Sequence, residues 1–227
     1  MGSFENPDLY LIMEYCELGG LDNVITQAAD GDITLTKANK MSFCAQICQG
    51  LAFLHGCTPP ILHCDVKTAN VLVTSNWQIK VADMGLAQFS HTLRGQKLLG
   101  SFLFMDPRVI SGLVYTAKSD VYSAGIIAYE LLTERTPYQE HFGSIQCEDD
   151  FFNLVLTGVR PTADLVGTDA ASQALFGLIT ECWDENPDVR PPFAELADRL
   201  ENMLTELQAG RLDDGESDVA GSVGDLL

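Results

Sequence analysis

The segment Ser119 to Glu134, SDVYSAGIIAYELLTE, constrains the fold of this chain more than any other. It opens on Ser and Asp, whose side chains can accept from the free N–H groups of a helix start, and its middle is almost wholly apolar. A helix that is apolar around most of its circumference has to be buried on most sides. Its longest apolar run, AGIIAYELL, falls well short of the roughly 20 residues needed to span a bilayer. The segment therefore belongs to the interior of a globular domain.

Other stretches supply what packs around it. From Thr36 to His55 the apolar positions Met41, Ala45, Cys48, Leu51 and Leu54 recur at spacings of three and four, which predicts an amphipathic helix stopped by Gly56. LDNVITQAA reads as a shorter helix, and ASQALFGLITECW and PFAELADRLENMLTELQ as amphipathic ones, the last opened by prolines in its first turn. LYLIMEY, Leu9 to Tyr15, is an apolar and aromatic run that reads as a buried strand ended by the turn CELGG. ILH, NVLVT and QIKVAD are short strand-like pieces between polar turns. After Gly210 the sequence is acidic and rich in small residues, the composition of a disordered tail. No fixed-period repeat is present, which argues against a solenoid.

Composition excludes several classes of function. With 13 basic and 32 acidic residues the formal charge is −19, so the long-range field repels nucleic-acid phosphates and anionic lipid. Neither a nucleic acid nor a membrane is an expected partner. The odd number of cysteines, at 16, 44, 48, 57, 64, 147 and 182, contains no C-x-x-C pair. That pattern reads as free thiols in a reducing compartment, with Cys44 and Cys48 as small core residues. No charged-then-apolar leader precedes the domain, and Asn6 stands where a myristoylation signal needs Ser or Thr. The expected location is cytosolic or nuclear, and cytoplasmic is the working assignment.

The chemistry concentrates in HCDVKTANVLV, His63 to Val73. Asp65, on a tight connection ahead of a strand, can accept a hydroxyl proton, and Lys67 can neutralise charge on a transferring phosphoryl group. The carboxamide oxygen of Asn70 is a hard ligand suited to Mg²⁺, which needs a further protein oxygen beside phosphates. VADMGLA offers it: Asp83 ends a strand-like run and is followed by Met84-Gly85, an arrangement that suits a hairpin returning a carboxylate toward Asn70.

These motifs resemble those of the eukaryotic protein kinase family. HCDVKTAN is similar to the catalytic loop H-R-D-x-K-x-x-N, and DMG to D-F-G. MDPRV resembles the A-P-E element, SDVYSAGIIAYELLT the buried helix whose first-turn aspartate braces the catalytic loop, and CWDENPDVRPPF the late tryptophan and arginine motif. The resemblance covers about residues 8 to 207. It implies a mainly α fold with short β-hairpins, the C-terminal lobe of a kinase over residues 1–207, followed by the acidic tail 208–227. It further implies Asp65 as catalytic base, Lys67 as the contact to the γ-phosphate, and Asn70 and Asp83 as holders of the Mg²⁺ ions that bridge ATP. Met13 corresponds to the gatekeeper, Glu14 and Cys16 to the hinge backbone that meets adenine, and Leu72 to the floor of its pocket. Asp22 is a candidate for the ribose. Lys67 favours Ser or Thr over Tyr in the protein substrate, and the cast is most similar to the tyrosine-kinase-like branch. Ser90 and Thr92 are candidate phosphosites in the activation segment between Asp83 and Pro107, and Ser101 a residue of the substrate loop.

The pattern is also broken in places. Only eight residues precede Leu9, with no glycine-rich loop, no V-A-I-K lysine and no partner glutamate helix, so the family's small lobe is missing or separate. That absence would expose a normally covered apolar face. Cys64 replaces the arginine that receives an activation-loop phosphate, and Met84 replaces a phenylalanine whose space a thioether can fill. Arg108 stands where a glutamate pairs with the arginine corresponding to Arg190, so two cations face each other unless an acid intervenes. A non-catalytic kinase-like scaffold that binds protein partners is the alternative, and a fragment without independent function the third reading.

Overall fold

A computed structural model of the chain describes residues 12–90 and 102–215. At its centre is α4 (Ala117–Thr133), in which Val121, Tyr122, Ile126, Ile127, Tyr129 and Leu131 are almost wholly shielded from solvent. The helix starts earlier than its apolar pattern suggests. Thr116 caps it and forms a reciprocal capping box with Ser119. Asp120 is thereby released from the capping role expected of it and is fully buried elsewhere.

Around α4 the chain runs through α1 (Leu21–Ala29), α2 (Lys37–His55), α3 (Pro107–Ile110), α5 (Glu148–Leu156), α6 (Ala170–Cys182) and α7 (Phe193–Gln208). The long α2 is capped by Thr36, whose hydroxyl accepts from Asn39 N at 3.1 Å. Its predicted stripe is real, since Met41, Ala45, Cys48 and Leu51 are buried and Leu54 is half-buried. Phe43, Cys44 and Ile47 are buried too, because α7 covers one side while α4 and a hairpin cover others. Cys44 and Cys48 thus serve as small core residues, and all seven cysteines are free thiols.

A charge inside this core has a specific answer. Lys40 is buried on α2, and its Nζ donates to Leu132 O at 3.1 Å and pairs with Glu134 Oε1 at 2.7 Å. It therefore satisfies one carbonyl left open at the C-terminus of α4 and sits at the negative end of that helix. α7 begins after Pro192, which occupies the cap rather than the first turn. A proline suits that place because it has no N–H to leave unpaired.

The strands are short: β1 (Gly19–Gly20), β2 (Ile61–Leu62), β3 (Val71–Val73), β4 (Ile79–Val81) and β5 (Gln88–Phe89). β1, β3 and β4 form an antiparallel sheet in that order, and β2 pairs with β5. The CELGG turn is closed by Gly19 N donating to Cys16 O at 3.1 Å, with Gly19 at φ +73°, a conformation open to glycine.

The buried strand expected over Leu9 to Tyr15 is not found in its described part. Residues 12–15 form no strand, and Ile12, Met13 and Tyr15 are 94%, 64% and 79% exposed. An apolar run becomes a strand only against a partner, and no described strand pairs with this one. Leu9 to Leu11 lie outside the described residues. At the other end, residues 211–215 fold back on the domain: Asp213 O accepts from Ala171 N at 2.8 Å, and Leu212 packs against the core. No helix among the described residues is long and apolar enough to cross a membrane.

Candidate functional site

The site is built where α4, the 63–70 loop and the β3–β4 hairpin meet. Asp120 accepts from His63 N at 3.0 Å, Cys64 N at 3.1 Å and the Tyr115 hydroxyl at 2.6 Å, and it pairs with His55 Nε2 at 2.8 Å. These bonds hold a turn that is costly on its own, because Cys64 adopts φ +66°, a left-handed conformation that non-glycine residues rarely take. Burial, together with the adjacent Asp120 carboxylate, drives the Tyr115 hydroxyl well above its ordinary pKa, which keeps it a donor.

His63 ties this turn to the hairpin. Its ring lies between the Asp65 N–H, 3.3 Å from Nδ1, and Ala82 O, 3.0 Å from Nε2. An amide can only donate and a carbonyl can only accept, so Nδ1 accepts, Nε2 donates and a single tautomer fits. The hairpin register sets Val71 opposite Val81, and Ala82 N donates to Asn70 O at 2.9 Å. Asn70 and Asp83 consequently sit at the same end of the hairpin.

Within the loop three side chains are in direct contact. Asp65 Oδ2 accepts from Asn70 Nδ2 at 2.8 Å and pairs with Lys67 Nζ at 2.8 Å. Asn70 Nδ2 also donates to Asp65 O at 2.8 Å. With the amide nitrogen spent in this way, Asn70 Oδ1 has no hydrogen-bond partner among the described residues and reaches solvent. Asp83 is exposed, lies at φ +59°, and accepts from Gly85 N at 3.1 Å through Oδ1. A carboxamide oxygen and a carboxylate oxygen are thus both available at one end of the hairpin, a donor set that fits Mg²⁺.

The residues expected around adenine gather less completely. Leu72 lies in β3 between Gly20 and Lys80, with its neighbours Val71 and Val73 facing the buried side. Glu14 reaches Lys80 at 3.2 Å, and Cys16 is buried beside the β1 turn. Met13 is exposed and joins none of these contacts. Asp22, in the first turn of α1, lies half-buried with its carboxylate against Gly20. Met84 does not fill an enclosed space as expected of it. It starts a short 3-10 turn at 42% exposure. Of the activation segment, Ser90 is exposed and donates its N–H to Pro60 O at 3.0 Å; Thr92 and Ser101 lie outside the described residues.

The expected clash of cations at Arg108 does not occur, because an acid intervenes. Arg190 is fully buried and forms a forked pair with Asp106, Nη1 to Oδ2 at 2.7 Å and Nη2 to Oδ1 at 3.2 Å. It also donates to Asp184 O and Lys118 O and lies 5.1 Å from the Tyr122 ring centre. Asp106 immediately precedes α3 and caps it, accepting from Arg108 N at 3.0 Å.

One group at the site went unrecognised in the sequence. Glu130 of α4 accepts from the Thr68 hydroxyl at 3.1 Å, directly under the turn that carries Asn70. Burial raises its carboxyl to about 7, the Thr68 bond opposes the rise and the charge of Asp22 adds to it. The signal available was a carboxylate inside the otherwise apolar run AGIIAYELL.

Comparison with known proteins agrees with this arrangement. The protein kinase domain matches residues 2–200. The chain is 33% identical to the dual specificity protein kinase shkD of Dictyostelium discoideum over 95% of its own length and 29% of the relative's. It is 30% identical to that organism's stress-activated protein kinase alpha, over 92% and 33%, and 31% identical to its probable serine/threonine-protein kinase roco6, over 86% and 9%. The chain therefore spans a third or less of the length of these relatives. A match over most of the sequence, on a fold whose buried helix anchors the loop of Asp65, places this chain in the protein kinase domain family.

Proposed function

We propose that this chain is the larger lobe of a Ser/Thr protein kinase of the tyrosine-kinase-like branch, which transfers the ATP γ-phosphate to a protein hydroxyl in the cytoplasm. The observation that carries the reading is the Asp65 carboxylate, whose Oδ2 is shared between Lys67 and Asn70 at 2.8 Å each. Oδ1 has no partner among the described residues and can take the proton of a substrate hydroxyl. Lys67, beside it, places a positive charge where the transferring phosphoryl group passes. Asn70 and Asp83 hold Mg²⁺, which neutralises phosphate charge when bound. Leu72, Glu14, Cys16 and Met13 form the adenine side, and Asp22 the ribose side. The Ser/Thr assignment draws on Lys67 and on the serine/threonine class of relatives such as roco6, and the dual specificity of shkD marks its boundary.

Turnover on this reading also needs a glycine-rich loop and a strand lysine from a small lobe. The scaffold alternative rested in part on Arg108, and the Asp106–Arg190 pair removes that support. The test is transfer of labelled γ-phosphate to casein, by the chain alone and joined to a relative's small lobe. Asp65→Asn should lower the rate of the joined protein by about 10²–10⁴ without weakening nucleotide binding. Equal rates in the two proteins would reject the assignment.

A further inference from the structure

A pocket of about 230 Å³ lies between α3, the loop after it and the end of α5, lined by Pro107, Arg108, Leu113, Leu156, Arg160 and Glu185 among others. We infer that it docks a carboxylate-bearing, apolar segment of a protein partner, at a surface separate from the phosphoryl-transfer site. The inference does not rest on the chain being an active kinase.

Arg108 is half-buried, and its guanidinium makes no hydrogen bond or ion pair with any described residue. The neighbouring acid that could have taken it, Asp106, is committed to Arg190. Arg160 is held rigidly instead: Nε donates to Trp183 O at 3.1 Å, Nη1 donates to Val159 O at 2.8 Å and Val155 O at 3.3 Å, and the group lies 5.3 Å from the Tyr122 ring centre. No carboxylate pairs with it among the described residues, and its Nη2 has no partner there. The Arg108 guanidinium, a planar fork partly withdrawn from water and without an acceptor among the described residues, is suited to a carboxylate.

Charge and shape narrow the occupant. The pocket holds two guanidiniums and the exposed Glu185 carboxylate, which sits against Gly158. Its single net positive charge is neutralised by one carboxylate and overshot by a dianionic phosphate. The chain's overall −19 opposes an acidic ligand at long range, but that field is screened beyond about 8 Å at physiological salt. Apolar side chains stand among these charges: Leu113 and Leu156 line the pocket and are 51% and 46% exposed. Apolar side chains flanking one acid are therefore the complementary ligand.

The probes are labelled, end-blocked nonapeptides of leucine and alanine with one central glutamate, glutamine or phosphoserine, titrated by fluorescence anisotropy against the full chain. The glutamate peptide should bind, and both the glutamine peptide and Arg108→Ala should weaken binding about tenfold, the worth of one charge-assisted hydrogen bond. Glu185→Gln should tighten it, and that gain keeps the test decisive if Arg108→Ala fails to fold. Equal binding of the glutamate and glutamine peptides overturns the inference. Tighter binding of the phosphoserine peptide overturns it in favour of a phosphopeptide site. Binding seen only after residues 216–227 are removed assigns the pocket to the chain's own acidic end and also overturns it.

Discussion

Asp65, Lys67 and Asn70 meet because a loop of a few residues cannot separate them, so their contact was legible from spacing alone. Glu130 was not, because its partner Thr68 lies 62 positions away and the burial that perturbs it is set by packing. Its consequence for stability has a definite sign. The folded-state carboxyl is raised from 4.5 to about 7, so the folded protein holds a proton that the unfolded chain releases. The contribution is fully present below about pH 4.5 and is lost as pH climbs through about 7. Glu130→Gln should therefore melt at nearly the wild-type temperature at pH 5 and at a higher temperature at pH 8. Equal differences at the two pH values would show that Glu130 does not titrate in this range. Asp120 is the second residue whose role is set by packing. Whichever way its amide turns, Asp120→Asn puts an NH₂ group against one backbone N–H, that of His63 or that of Cys64. Amide exchange should then accelerate at His63 and Cys64 while protection in α7 persists, and unchanged exchange would contradict the brace.

Helices were the most legible elements, since their apolar spacing survives in any context, whereas their starts shifted where a better cap was available. Thr116 displaced Ser119 and Asp120 at α4, and Pro192 stands before rather than inside α7. The run ahead of the CELGG turn was misread because strand formation depends on a partner that periodicity does not reveal. At α3 the sequence placed an arginine where an acid was expected, and the acid two residues earlier took over the pairing. Removing one member of a buried ion pair strands the other charge, so Arg190→Ala should cost about 3–5 kcal/mol in urea unfolding. Arg108→Ala, without a side-chain partner, should shift stability by less than about 1 kcal/mol. Comparable losses in both variants would mean that Arg108 shares in the buried pair.

Across the whole molecule, one buried helix organises both stability and chemistry: α4 fills the core, its Asp120 fixes the 63–65 turn, and the hairpin bound to that turn sets Asp83 beside Asn70. The general outline was readable because the apolar helix and two acid-bearing turns recur in order along the chain. What escaped were contacts between distant side chains such as Glu130 with Thr68 and Lys40 with Glu134, whereas the Asp120 brace was foreseen only through the family resemblance. The claim that Asn70 and Asp83 form a magnesium site for ATP is tested most directly by thermal melting with ATP, with and without Mg²⁺, for the wild type and Asp83→Ala. At ligand concentrations near a hundred times Kd, a rise of about 5–10 °C is predicted for the wild type, abolished by EDTA and by Asp83→Ala. A rise of the same size without Mg²⁺, or in Asp83→Ala, or no rise at all, would contradict the account.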